Sequence, residues 1–123
     1  MARGTVLVAE DERNLADALS FLMQRAGLEV TIARDGPSTV ATAQRIRPDV
    51  IVLDIMLPGF DGFEVVSTLR AQADGHTPRI IMLTAKGHEK DKRKALELGV
   101  DDYVTKPFSN RDVVERVQAL LSQ

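Results

Sequence analysis

Carboxylates stand at two places in this 123-residue chain where an apolar run ends. The run "IVL" leads directly into Asp54, and the run "TVLVA" leads into Glu10, Asp11 and Glu12. A buried strand that ends on an unpaired charge is costly, because the carboxylate loses its hydration there. These carboxylates therefore need partners, and the kind of partner indicates the chemistry.

A divalent cation is one partner that lets several carboxylates lie together. Carboxylates that are brought together repel each other and resist ionisation. Magnesium takes oxygen ligands and is usually held by one or two carboxylates, with waters and a phosphate completing its shell. Two more predicted strands end on polar side chains, Thr84 and Lys106. A magnesium site beside a carboxylate, a hydroxyl and an ammonium is suited to phosphoryl transfer, with Asp54 as the nucleophile that forms an acyl phosphate.

The elements that must position these residues alternate strictly along the chain. Short and nearly all-apolar runs predict strands at "TVLVAE", "LEVTIA", "DVIVLD", "RIIMLTA" and "DDYVTK". Apolar residues at helical spacing predict helices at "NLADALSFLMQRAG", "DGPSTVATAQRIR", "GFEVVSTLRAQ", "EKDKRKALELG" and "SNRDVVERVQALL". Such strands are typical of a parallel sheet covered by helices on both faces. We predict an α/β fold, an open five-stranded parallel sheet in the flavodoxin-like order 2-1-3-4-5.

This strand order predicts where the polar residues meet. In an open α/β sheet the ligand crevice lies outside the carboxyl ends of the strands, where the strand order reverses. With the order 2-1-3 that point lies between strands 1 and 3. Glu10, Asp11 and Asp54 should therefore converge there, with Thr84 and Lys106 closing the other side.

The apolar rows and end signals of the helices make further predictions. Gly27 is placed to end the first helix, and Pro37 to begin the second. Ala26 is predicted to lie on the buried face of the first helix. The fourth helix has few apolar residues, chiefly Ala95, Leu96 and Leu98, so we expect it to be the element that shifts most easily.

Composition excludes several classes of function. The chain has no cysteine, which excludes disulfides, zinc–thiolate sites and thiol catalysis. A formal net charge of -2 gives no argument for binding nucleic acid or an acidic membrane surface. The first residues do not form a secretory signal, and no apolar run approaches membrane-spanning length. We expect one domain, residues 1–123, in the cytoplasm.

Four motifs resemble the signature set of the response-regulator receiver domain of two-component signalling. They are "VAEDE", "LDIMLPGFDG", "LTAK" and "GVDDYVTKPF", and the resemblance extends over essentially the whole chain. It implies a phosphorylation-controlled switch that takes a phosphoryl group from a sensor histidine kinase. It implies no enzyme activity beyond self-phosphorylation and self-dephosphorylation at Asp54.

The resemblance also assigns the metal ligands. Asp54 matches the phosphorylated aspartate, and the cofactor is Mg²⁺, with Mn²⁺ as a substitute. Asp11 matches the direct metal ligand, Glu10 acts mostly through water, and the backbone carbonyl of Met56 matches the third protein ligand. The acidic pair is Glu-Asp where the family pattern is Asp-Asp, and both carboxylates are kept.

Further roles in the resemblance concern switching. Thr84 matches the switch hydroxyl and Lys106 the phosphate-binding lysine. Pro107 matches the proline whose preceding peptide is cis. Tyr103 matches the aromatic residue that changes rotamer on phosphorylation, and we expect it to move inward from an outward position.

The domain or partner that the switch controls is inferred from a single stretch of sequence. The stretch "KALELGVDDYVTKPF" looks most like receivers that precede a winged-helix DNA-binding domain. In that subfamily the fourth helix, fifth strand and fifth helix form a symmetric dimer through charged pairs. Lys92 with Asp112, and Asp102 with Arg116, fall at roughly matching positions. DNA would be contacted only through an output domain outside this sequence. The alternative is a stand-alone receiver or phosphorelay intermediate.

Simpler interpretations exist for each residue. Asp54 could cap a turn, the acidic run could be a helix start that Asp11 caps, and Thr84 could cap the fourth helix. Lys106 could be an ordinary loop lysine before Pro107, and Tyr103 could be ordinary packing. His76 and His88 are expected to be solvent-exposed without a special role.

Three other functions are less well supported by the sequence. An aspartate-nucleophile phosphatase carries a second acid two residues after the nucleophile, where this chain has Met56. A flavin or nucleotide carrier of the same fold needs a Gly-, Ser- or Thr-rich loop after strand 1, where this chain has Glu-Asp-Glu. A degenerate receiver used only for docking would lack a site residue, and none is missing.

Overall fold

The computed structural model describes residues 4–72, 77–85 and 89–122. His76 and His88 lie outside the described residues, as does the lysine of the "LTAK" motif. Helices and strands alternate in the order β1 Thr5–Ala9, α1 Arg13–Arg25, β2 Glu29–Ala33, α2 Gly36–Ile46, β3 Val50–Asp54, α3 Gly62–Ala71, β4 Arg79–Thr84, α4 Glu89–Glu97, β5 Asp102–Thr105 and α5 Asn110–Leu121.

The five strands form one parallel sheet in the order β2-β1-β3-β4-β5, which confirms the predicted fold class. Alternate residues of each strand enter two different cores, because successive side chains point to opposite faces. Leu7 and Ile51 belong to the core under α2, α3 and α4. Val6 and Val50 belong to the core under α1 and α5. Burial on both faces explains why the inner strands β1, β3 and β4 are almost uniformly apolar.

The ends of the helices follow from local side-chain chemistry. Gly27 has a φ of 91° after α1, as its placement predicts. Asp35 caps α2 by accepting a hydrogen bond from the Ser38 amide at 2.8 Å. The α3 helix begins with a complete capping box between Asp61 and Glu64, which the sequence analysis did not identify. None of the described helices is long and apolar enough to cross a membrane.

Some apolar positions differ from prediction. Ala26 is exposed, because α1 ends at Arg25 and Ala26 lies at its C-cap. Leu96 is 56% exposed, so it does not anchor α4. Ala95 is fully buried and is the one fully buried residue among the described residues of α4. The helix is therefore held by fewer apolar contacts than the sequence predicts.

Candidate functional site

The register of the sheet places the predicted site residues at one edge. Ala9 pairs with Leu53, so Glu10 and Asp54 come one residue later on neighbouring strands. Thr84 pairs with Thr105, so Lys106 follows on the other side. The site is therefore built by the carboxyl ends of β1, β3, β4 and β5, as the predicted strand order requires.

Asp54 is a buried carboxylate, with 4% of the residue exposed. Its Oδ1 accepts a hydrogen bond from the Met56 amide at 3.0 Å. Its Oδ2 lies 3.6 Å from the Nζ of Lys106. The carboxylate is thus fixed by its own loop on one side and faces a cation on the other, so it does more than cap a turn.

Glu10 is even more deeply buried, with 1% exposed. Its Oε2 accepts a hydrogen bond from the Glu12 amide at 3.0 Å. Its Oε1 is buried and has no hydrogen-bond donor among the described residues, and the Nζ of Lys106 lies 3.9 Å away. Burial, together with the neighbouring Asp54 carboxyl, raises the pKa of Glu10 to about 7.

Lys106 is the cation that the structure places between these carboxylates. Its backbone N–H donates to the carbonyl of Thr84 at 2.6 Å, and the peptide between Lys106 and Pro107 is cis, as expected. One ammonium group serves both Asp54 and Glu10 at distances of 3.6 and 3.9 Å, too long for hydrogen bonds. The charge of the site is therefore incompletely compensated by the described residues.

Asp11 completes a cluster that suits a hard cation. One carboxylate oxygen from each of Glu10, Asp11 and Asp54 lies within 4.8 Å of the others. Asp11 is exposed, so a cation could reach the cluster from solvent. The first helix is not capped by Asp11, because its N-cap is Glu12, which makes no side-chain capping hydrogen bond. An all-oxygen donor set with an unsatisfied buried oxygen fits Mg²⁺.

Thr84 connects the site to the neighbouring strand β5. It is 3% exposed at the end of β4, five residues before α4 begins, so it does not cap that helix. A side-chain hydrogen bond joins it to Tyr103. Tyr103 is partly buried and packs against the core under α2, α3 and α4, and this burial raises its pKa above the ordinary 10.0. The movement of Tyr103 on phosphorylation stays a prediction.

Three of the four charged residues of the expected dimer face, Asp102, Asp112 and Arg116, are paired with each other within the chain. Arg116 on α5 contacts both carboxylate oxygens of Asp102, at 2.8 and 2.9 Å. Its Nε also donates to Asp112 at 3.1 Å. These hydrogen bonds raise the pKa of Arg116. Lys92 is exposed on α4.

Gly62 is a site-shaping residue that the sequence analysis missed. A Cβ at this position would lie 2.8 Å from the Cα of Ile55 and 2.9 Å from the carbonyl oxygen of Asp54. Its N–H donates to the Ile55 carbonyl at 2.8 Å. Only glycine lets α3 begin this close to the backbone of Asp54. The signal was a glycine directly after the helix-capping Asp61.

The chain is similar to known signalling proteins. It is 47% identical over 117 residues to the sensory transduction protein RegX3 of Mycolicibacterium smegmatis, which covers 95% of this chain and 50% of that protein. RegX3 of Mycobacterium tuberculosis is 46% identical, with the same coverage. The chain thus spans half the length of these curated relatives.

Solved structures show the same fold. The receiver domain of the Francisella response regulator 1452 is 33% identical with a TM-score of 0.90, covering 98% of each chain. Chemotaxis protein CheY4 of Vibrio cholerae is 32% identical with a TM-score of 0.88, covering 97% of this chain and 99% of that one. The response regulator receiver domain family matches residues 6–118. Receiver domains of this family are signalling switches that bind Mg²⁺ at an acidic pocket, and this chain belongs to that family.

Proposed function

We propose that this chain is a phosphorylation-controlled switch whose phosphoacceptor is Asp54. The observation that carries the proposal is the buried Asp54 carboxylate with Lys106 at 3.6 Å and the oxygens of Glu10 and Asp11 within 4.8 Å. A nucleophile, a cation for the transferred group and a set of metal ligands are thus combined at one edge of the sheet.

The donor we propose is the phosphohistidine of a sensor histidine kinase. A carboxylate oxygen of Asp54 attacks the phosphorus, the phosphorus–nitrogen bond breaks, and the bonding electrons leave with the imidazole, which takes up a proton. Lys106 lies beside Oδ2 of Asp54 and offsets the negative charge of the phosphoryl group. The same acyl phosphate is later hydrolysed, so the chemistry begins and ends on Asp54.

The cation we propose is Mg²⁺, held by Asp11 and Asp54 directly, by Glu10 through water, and by the backbone carbonyl of Met56. When bound, Mg²⁺ supplies charge stabilisation and orientation for phosphoryl transfer. The donor set also favours the switch over a phosphatase, because the second residue after Asp54 is Met56, which is 67% exposed and carries no acid.

The change in shape is proposed to pass through Thr84. A phosphoryl group on Asp54 adds acceptor oxygens beside the Thr84 hydroxyl, and charge-assisted hydrogen bonds are among the stronger ones. Thr84 then exchanges its bond to Tyr103 for one to the phosphoryl group, and the surface made by α4, β5 and α5 repacks. Because α4 has a single fully buried residue among those described, this helix is the element with the least packing to lose.

The altered α4-β5-α5 surface is proposed to control an output domain or a partner in the cytoplasm, with a homodimer as the active form. In such a dimer Arg116 would exchange or share its Asp102 contact with the second copy, and Lys92 would face Asp112. DNA would be reached only through an output domain.

The experiment is phosphorylation by a small phosphodonor with and without Mg²⁺, monitored by intact-protein mass. We expect one phosphoryl group that appears only with Mg²⁺ and is removed by hydroxylamine. Asp54→Asn should abolish the labelling, whereas Asp49→Asn, at the opposite end of β3, should not. Undiminished labelling of Asp54→Asn would contradict the proposed phosphoacceptor.

A further inference from the structure

The loop between β3 and α3, residues 55–61, carries the backbone carbonyl proposed as a metal ligand, and its inner end is fixed by the core. Ile55 is buried and directly precedes the exposed Met56. The N–H of Ile55 donates to the Leu83 carbonyl at 3.0 Å, and its carbonyl accepts from the Gly62 N–H at 2.8 Å. The first residues of the loop therefore have little freedom.

The outer end of the loop is fixed by a hydrogen bond from Gly36, the first residue of α2. Pro58 and Gly59 are exposed, but the carbonyl of Pro58 accepts a hydrogen bond from the N–H of Gly36 at 2.9 Å. The first amides of a helix lack partners within the helix. In α2 the Ser38 amide is satisfied by the capping Asp35, and Pro37, directly after Gly36, has no N–H. The bond from the Gly36 N–H to the loop carbonyl therefore completes the capping of this helix.

This contact requires the absence of a side chain at position 36. A Cβ on Gly36 would lie 2.3 Å from the Cβ of Phe60 and 2.6 Å from its backbone N and O. Backbone atoms cannot turn away as a flexible side chain can, so the loop itself would have to move. Alanine is a better helix former than glycine, so the helix alone would favour a side chain here.

We propose that Gly36 is a positioning residue for the metal site, acting through the loop that carries Met56. This inference depends on the proposed function, because it takes the Met56 carbonyl as a ligand. Residues that orient metal ligands typically change metal affinity by about tenfold or more when they are altered. Asp54 and Lys106 are positioned by β3 and β5, so the Gly36 contact sets the affinity for the cation more than the rate of the chemical step.

The test measures Mg²⁺ affinity by calorimetry and the rate of phosphorylation against Mg²⁺ concentration, for the wild type and for Gly36→Ala. We expect Gly36→Ala to bind Mg²⁺ about tenfold more weakly and to reach nearly the wild-type rate at saturating Mg²⁺. Phe60→Ala removes the packed side chain instead of adding one, and it should shift Mg²⁺ affinity in the same direction. If Gly36→Ala fails to fold by circular dichroism, the result for Phe60→Ala decides.

Gly4→Ala is the matched control. A Cβ at Gly4 would lie 2.4 Å from Cδ1 of Leu121, at the opposite end of β1 from the site. It should lower the melting temperature and leave Mg²⁺ affinity unchanged. Unchanged Mg²⁺ affinity in folded Gly36→Ala, or an equal loss in Gly4→Ala, would overturn the inference. A wild type that neither binds Mg²⁺ nor takes a phosphoryl group would instead overturn the proposed function.

Discussion

Replacing Glu10 by glutamine is expected to stabilise the metal-free protein by an amount that depends on pH. Glu10 is 1% exposed, and its pKa is raised from 4.5 to about 7, mainly by burial and also by the neighbouring Asp54. Its folded-state pKa is above its unfolded-state value, so the folded protein holds the proton more tightly. The stability from this group is complete below about pH 4.5 and is lost as the pH rises to about 7.

The magnitude follows from the same two values. At about 1.4 kcal/mol per pKa unit, the wild type loses at most about 3 kcal/mol of unfolding free energy from this group across that window. Glutamine does not titrate, so Glu10→Gln avoids this loss while keeping nearly the same shape. The variant should therefore gain up to about 3 kcal/mol relative to the wild type between pH 4.5 and pH 8.

Urea unfolding at about pH 4.5 and about pH 8, monitored by circular dichroism with a chelator present, measures the difference in unfolding free energy between Glu10→Gln and the wild type. Glu115→Gln, on the exposed face of α5, is the control and should show no such trend. In saturating Mg²⁺ the advantage of Glu10→Gln should shrink, because the cation then compensates the carboxylate. A difference between Glu10→Gln and wild type that is the same at both pH values would refute the reasoning.

Three further predictions concern the metal, the switch and the output. Mg²⁺ should raise the melting temperature of the wild type, because a ligand that binds only the folded state stabilises it, and a shift that persists unchanged in Asp11→Ala would contradict the site. Phosphorylation should change the fluorescence of Tyr103, the single tyrosine, in the wild type, whereas Thr84→Ala should be phosphorylated without this fluorescence change. The same fluorescence change in Thr84→Ala as in the wild type would exclude Thr84 from the switch. Sedimentation with beryllofluoride should show a dimer that Arg116→Ala weakens, although each partly exposed pair contributes at most about 1 kcal/mol; a monomer with and without beryllofluoride would rule the dimer out.

The fold and the positions of the site residues were predictable because both are local consequences of the sequence. Each strand is a short apolar run and each helix has an apolar row, so their alternation leaves few possible topologies. Once the strand order is known, residues at the carboxyl ends of β1, β3, β4 and β5 must meet. Asp54 and Lys106 therefore followed from sequence, including the edge of the sheet on which they lie.

What the sequence did not predict depends on distances between separate segments. The contact between Gly36 and the loop after β3 joins two segments that no spacing rule connects. The hydrogen bond between Tyr103 and Thr84 depends on how β5 lies against β4, and the pairing of Arg116 with Asp102 depends on how α5 lies against β5. Exposure of Leu96 also depends on tertiary packing, because α4 has a weak apolar row that several orientations would satisfy.

The most direct test of the central claim is to locate the phosphoryl group chemically. Borohydride reduces an acyl phosphate to the alcohol, so a phosphorylated aspartate becomes homoserine, which peptide mass spectrometry assigns to a position. After treatment with phosphodonor and Mg²⁺, we expect homoserine at position 54 alone, and none when Mg²⁺ is removed by a chelator. Homoserine at another aspartate, or phosphorylation that leaves Asp54 unmodified, would contradict the assignment of Asp54 as the phosphoacceptor.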